Sequence, residues 1–191
     1  MLWIYWPTWL DMRWLSIVFL ACMSFPASAL EVTICYNYGC AVQAKIEVDL
    51  NDLTQLDQLF EEVSNAAVER GSIQLAIGYM NRVVGKQTPI RNDKGRNYDD
   101  DGVEGRMDCI DHSHTTTAYL KLIEARGLLG FHRVLEPVHR APLLVNDHWS
   151  ARIQETETGE QYAVDSWFFD HGEPAAIFPV RDWLKGAEPH G

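Results

Sequence analysis

Three residues of this chain have side chains that can act in turn on a carbonyl: Cys109, His148 and Asp165. A thiol attacks once a base takes its proton, an imidazole can take and return that proton, and a carboxylate fixes the imidazole tautomer. His148 follows Cys109 by 39 positions, and Asp165 follows His148 by 17. Each alone means little, because a lone cysteine is commonly buried filler and a lone strand histidine is commonly structural. Their order becomes informative through the elements that must hold them.

Residues 108–126 read as a helix, with Leu120, Ile123 and Ala125 near its end and Gly127 as a stop. Asp108 is placed to cap it, which puts Cys109 in the first turn. Unpaired amides and the helix dipole there favour a thiolate, so the thiol pKa is expected to fall, and the same amides can stabilise an oxyanion. Three strand-like runs follow, at 132–139, 144–155 and 161–168, the last two joined by the hairpin signal Thr156-Glu157-Thr158-Gly159. A hairpin centred between 156 and 157 sets His148 opposite Asp165 on one face, with Gly159 hinting at a small offset or bulge. His148, Ser150 and Arg152 alternate with Trp149, Ala151 and Ile153, and Tyr162 and Val164 alternate with Ala163 and Asp165. The expectation is that the apolar set packs while His148 and Asp165 face the helix bearing Cys109.

Upstream, 31–36 and 42–48 read as short strands flanking Cys35 and Cys40, which could close a small loop turned by Gly39. Leu53, Leu56, Leu59 and Phe60 give a helical stripe over 52–63. A second helix over 66–84 is loosened at Gly71 and Gly78. The polar stretch 87–107, with Pro89, Gly95, Gly102 and Gly105, is a long loop of the kind that is usually functional or mobile. The tail 170–191, with Trp183 and Leu184, is expected to pack over the sheet and then fray.

The Cys–His–Asp order and the motif Asp108-Cys109-Ile110-Asp111 resemble the transglutaminase-like superfamily, and most closely the bacterial transglutaminase-like cysteine proteinases. The resemblance spans roughly residues 50–168. His148-Trp149 and Asp165-Ser166-Trp167 echo the wider superfamily. It implies a papain/transglutaminase-like α+β fold, with the cysteine-bearing helix packed on an antiparallel sheet. It also implies Cys109 as nucleophile, His148 as base and Asp165 as orienting acid. One position departs: Ile110 stands where those proteinases usually carry a second acidic residue.

The first 29 residues read as a removable leader. Arg13 precedes an apolar run over 14–25, and Ala27-Ser28-Ala29 suits cleavage before Leu30. The apolar run is shorter than the ~20 residues a spanning helix needs. Leu20-Ala21-Cys22 offers a lipoprotein alternative, which Phe19 fits poorly. Residues 30–191 then form one exported domain, periplasmic or secreted, in which Cys109 is the odd cysteine beside Cys35 and Cys40. Sixteen Lys+Arg against 27 Asp+Glu give a net charge of −11, which argues against nucleic acid and anionic membranes as partners of the mature chain.

Two metal readings arise. Asn97, Asp99, Asp101 and Gly102 occupy EF-hand-like positions 1, 3, 5 and 6, with Asp108 at position 12, so the loop is a candidate calcium site. Cys109-x2-His112-x-His114 has zinc-like spacing, but His114 points to another face of a helix, and capping or core roles fit both histidines better. The triad itself requires no cofactor. The function classes that follow are a thiol hydrolase, as a cysteine peptidase acting on a protein or peptide through an acyl-enzyme; a cell-wall amidase of the Cys–His type; and a non-catalytic binding or scaffold domain on the same fold. If the loop 97–108 holds calcium, excess chelator lowers the melting temperature in step with site occupancy. Unchanged melting across millimolar calcium and chelator removes that ion.

Overall fold

The computed structural model describes residues 1–3, 30–141 and 147–189. The leader, Cys22, the first part of the expected strand at 144–155 and the last two residues lie outside the described residues. The chain is mixed α+β with two antiparallel sheets. In one, β1 (Leu30–Tyr36) pairs with β2 (Val42–Val48). In the other, β3 (His132–Arg140), β4 (His148–Glu155), β5 (Gln161–Asp165) and β6 (Ala176–Pro179) lie in sequence order. The helices are α1 (Leu50–Gln58), α2 (Ala66–Gly85), α3 (Cys109–Ala125) and α4 (Val180–Trp183), with a 3-10 turn at Pro89–Asn92.

Local chemistry accounts for these boundaries. The Asp49 and Asn65 side chains accept from the amides of Asp52 and Val68 and start α1 and α2. Asp108 and Asp111 form a reciprocal capping box at the head of α3. Helix α2 runs unbroken through Gly71 and Gly78, contrary to the expected loosening. A Cβ on Gly78 would lie 2.8 Å from the carbonyl oxygens of Gly172 and Glu173, so this glycine lets a turn seat against the helix.

One core joins the halves. Ile73, Ile77, Met80 and Val84 of α2 follow helical spacing and pack with Val32 and Ile34 of β1, Tyr119, Leu120 and Ile123 of α3, and Ala151, Ile153 and Val164 of the large sheet. The opposite face of that sheet carries a second cluster, in which Val138 and Ala163 pack on Trp183 of α4. The tail thus contributes a strand and a fully buried tryptophan, more order than its sequence suggested.

A buried polar knot ties α2 to the start of β3. The Glu69 carboxylate accepts from the amides of Gly130 (2.6 Å) and Phe131 (3.1 Å) and from His132 Nδ1 (2.8 Å). Burial works against the Glu69 charge, but the His132 bond and the two amides outweigh it and hold the carboxyl below its ordinary range. A lowered carboxyl pKa stabilises above the ordinary range, and that stability is lost as pH falls through the folded value. Glu69→Gln removes one acceptor oxygen and is expected to cost about 1–3 kcal/mol at pH 7 in urea unfolding. The variant should also lose part of the wild type's acid sensitivity below pH ~4.5.

Candidate active site

Cys109 is the first residue of α3 and the free cysteine among the described residues, since Cys35 and Cys40 form a disulfide. Cys109 and His148 line one cleft of ≈ 290 Å³, with Tyr38, Asn97, Tyr98 and Trp167 among its walls. His148 Nε2 lies 2.8 Å from Asp165 Oδ2, and both residues are buried. This geometry places the ring proton on Nε2 as donor to the carboxylate and leaves Nδ1 with a lone pair. Asp165 is shared: Trp183 Nε1 donates to the same Oδ2 at 2.9 Å, and the Trp167 amide donates to Oδ1 at 3.2 Å. Trp167, Phe168 and Trp183 enclose the imidazole, with ring centroids 4.9, 5.7 and 5.6 Å away. Cys109 and His148 therefore line one cleft, and Asp165 is hydrogen-bonded to His148.

Two details differ from expectation. The pairs Ala151↔Val164 and Gln154↔Gln161 centre the hairpin one position later than the turn signal suggested. Gly159, at φ 75 with its amide bonded to the Glu155 carbonyl, supplies the extra residue. Extending that register puts Ser150 across from Asp165, and His148 reaches the carboxylate diagonally on the same face. That face is also the other one. Ala151, Ile153 and Val164 pack toward α3, whereas His148 and Asp165 lie with Trp183. Cys109 packs against the Trp167–Phe168–Ala176 cluster, so the first turn of α3 serves the site while the rest of the helix serves the core.

The thiol is also less acidic than its helix position suggested. Burial pushes the Cys109 thiol up to about 11, and the negative charges of Asp108, Asp165 and Asp147 add to the rise, while a hydrogen bond from the Trp149 backbone opposes it. A helix terminus is worth about 0.3–1 kcal/mol, less than the desolvation of a thiolate among three carboxylates. At neutral pH the site therefore holds a thiol rather than a thiolate.

The helix that begins at Cys109 is clamped by the disulfide loop. Asn37, Tyr38, Gly39 and Cys40 all have positive φ, which turns successive amides one way. Tyr38 N and Cys40 N each donate to Asp111 at 2.7 Å, and Gly39 N donates to Asp108 Oδ2 at 2.9 Å. Asn37 accepts from the Gly105 amide at 2.7 Å, and a Cβ on Gly105 would lie 2.0 Å from the Pro89 carbonyl oxygen, so the approach needs glycine. Burial, with the Asp108 charge beside it, pushes the Asp111 carboxyl up to about 6.

The residues of the calcium reading are not brought together. Asp99 and Asp101 are exposed, Asn97 Nδ2 donates to Asp100 at 2.9 Å, and Asp108 spends its oxygens on the Asp111 and Gly39 amides. Among the described residues, the one cluster with metal-ligand geometry is Cys35, Cys40 and Asp111, whose sulfurs are bonded to each other. His112 is a buried core histidine, 2.8 Å from Ser166 Oγ and 3.0 Å from Asp93 Oδ2, and His114 is exposed. Sequence reasoning missed Trp183 and Arg140. Arg140 was findable in principle, since strand pairing sets it opposite His148.

Compared with known proteins, the chain matches no family model, no curated protein and no solved structure. The raised thiol pKa gives a direct expectation. Iodoacetamide labelling of Cys109 should climb roughly tenfold per pH unit from pH 7 to 10, in proportion to thiolate. Peptide mapping that shows a plateau below pH 8 would mean the sulfur rests as a thiolate.

Proposed function

We propose that the chain is an exported thiol hydrolase with a papain/transglutaminase-like fold, a cysteine peptidase acting on a protein or peptide. The observation that carries this reading is the buried His148–Asp165 bond beside the cleft lined by the free thiol of Cys109. His148 Nδ1 takes the thiol proton as sulfur attacks the acyl carbon, and the imidazolium returns it to the leaving amine. Asp165 stabilises that imidazolium, and the surrounding rings exclude water from the pair. The Cys109 amide, at the head of α3, is the oxyanion donor. Water then resolves the thioester. The Cys35–Cys40 disulfide supports export, because such bonds persist in oxidising compartments. Among the described residues no helix is long and apolar enough to cross a membrane.

The raised thiol pKa favours a second reading, a non-catalytic binding domain on the same scaffold. A broad peptide library, acid-quenched and read by intact mass, separates the two. Wild type should accumulate an acyl adduct that maps to Cys109, and Cys109→Ala should give none while remaining folded. His148→Ala should slow acylation by about 10²–10⁴-fold through loss of the base. Asp165→Asn should slow it less, since the amide oxygen still accepts from Nε2. Identical behaviour of wild type and Cys109→Ala across the library selects the binding domain.

A further inference from the structure

The cleft beside Cys109 holds a charge that the triad does not use. We propose that the Arg140 guanidinium is an anion subsite, so that the acyl donor carries a carboxylate next to the bond being cleaved. The identity of that donor rests on the thiol-hydrolase reading; the subsite itself does not.

Arg140 ends β3, pairs across the ladder with His148 and lines the cleft. At 7% exposure it is the one buried lysine or arginine among the described residues. Its Nη1 donates to the carbonyl oxygens of Trp183 and Ala187, and its Nε has no partner. Its guanidinium lies 4.6 Å from the centroid of the Trp183 ring. Carbonyl dipoles and a ring face stabilise a cation without neutralising it. Among the described residues no carboxylate pairs with it, and a buried, uncompensated charge is costly. A lysine could shed its proton in such a place, but a guanidinium cannot.

The acidic residues that line the cleft have partners of their own. Asp108 accepts two backbone amides, Asp147 pairs with His139, and Glu188 pairs with Arg96 at 3.2 Å. Among the described residues Arg140 is the one lysine or arginine that lines the cleft, in a chain that carries −11. Held at Nη1 by two carbonyls and on its face by an indole, the guanidinium is oriented for a carboxylate that enters the cleft. Two kinds of substrate offer that group: a peptide with an Asp or Glu beside the scissile bond, or one cleaved next to its terminal carboxylate.

The test compares two reagents of nearly equal size, iodoacetate and iodoacetamide, at Cys109. At low ionic strength the iodoacetate-to-iodoacetamide rate ratio should exceed that of N-acetylcysteine amide by about tenfold, and it should fall as salt is added. Arg140→Met should return the ratio to the free-thiol value, and Arg140→Lys should retain part of the excess. Because Arg140 also ties down Trp183, a wild-type arm needs no variant. N-acetylglutamate α-amide or N-acetylalanine should slow iodoacetamide labelling where N-acetylglutamine α-amide does not. Protection by the first indicates a side-chain carboxylate, and by the second a chain terminus. A wild-type ratio equal to that of free thiol, an unchanged ratio in folded Arg140→Met, or a Cys109 that neither reagent reaches overturns the subsite. Alkylation needs no turnover. A peptide library that never acylates Cys109 therefore removes the hydrolase reading while leaving a tenfold ratio standing, and a normal ratio removes the subsite while leaving an acylated Cys109 standing.

Discussion

A single carboxylate, 1% exposed, receives N–H groups from three directions: the His148 ring, the Trp183 indole and the Trp167 amide. Burying Asp165 as an anion without such donors would cost several kcal/mol, so each partner is held by the others. The consequences spread outward. His148 is fixed in ring plane and tautomer. Trp183 draws α4 onto the outer sheet face, where its carbonyl and ring meet Arg140. The turn after β5 places Trp167 and Phe168 against the imidazole. A carboxylate at the end of a short strand thus organises His148, the tail and the walls of the cleft.

Cys109 is positioned by separate means. Cys109 enters the site as the first residue of a helix whose body belongs to the main core. The capping box and the three amides of the disulfide loop fix where that helix begins. Burial, with the charges of Asp108, Asp165 and Asp147 beside the sulfur, raises the cost of its thiolate, which is the opposite of what the helix dipole alone does. In the proposed mechanism the thiol is neutral at rest, and the Asp165-bound imidazole takes its proton as the sulfur attacks.

Much of this was legible in the residues. The strands flanking Cys35 and Cys40, the α3 cap at Asp108 and the order Cys109, His148, Asp165 followed from turn signals, helix caps and period-two alternation. The face of the large sheet did not follow, because alternation says which residues share a face and not which layer covers it. Trp183 supplied the second layer, and α4 is too short to announce itself by periodicity. Gly78 read as a helix breaker because its reason, the approach of the 172–173 turn, is nearly a hundred residues away in sequence. The calcium spacing along 97–108 is read along the chain, and the structure shows which of its members have other partners. Asp108, its last member, was already committed to the helix start and the disulfide loop.

The claim on which everything else rests is that Asp165 holds His148 with its Nε2 protonated and its Nδ1 free for the Cys109 proton. Nitrogen-15 NMR of His148 in the resting protein, at a pH where the ring is neutral, tests it directly. The expected spectrum shows a protonated Nε2 and a bare, imine-type Nδ1, and the distinction collapses to a tautomer mixture in Asp165→Ala. A proton resident on Nδ1 in the wild-type protein would contradict the assignment of His148 as the base.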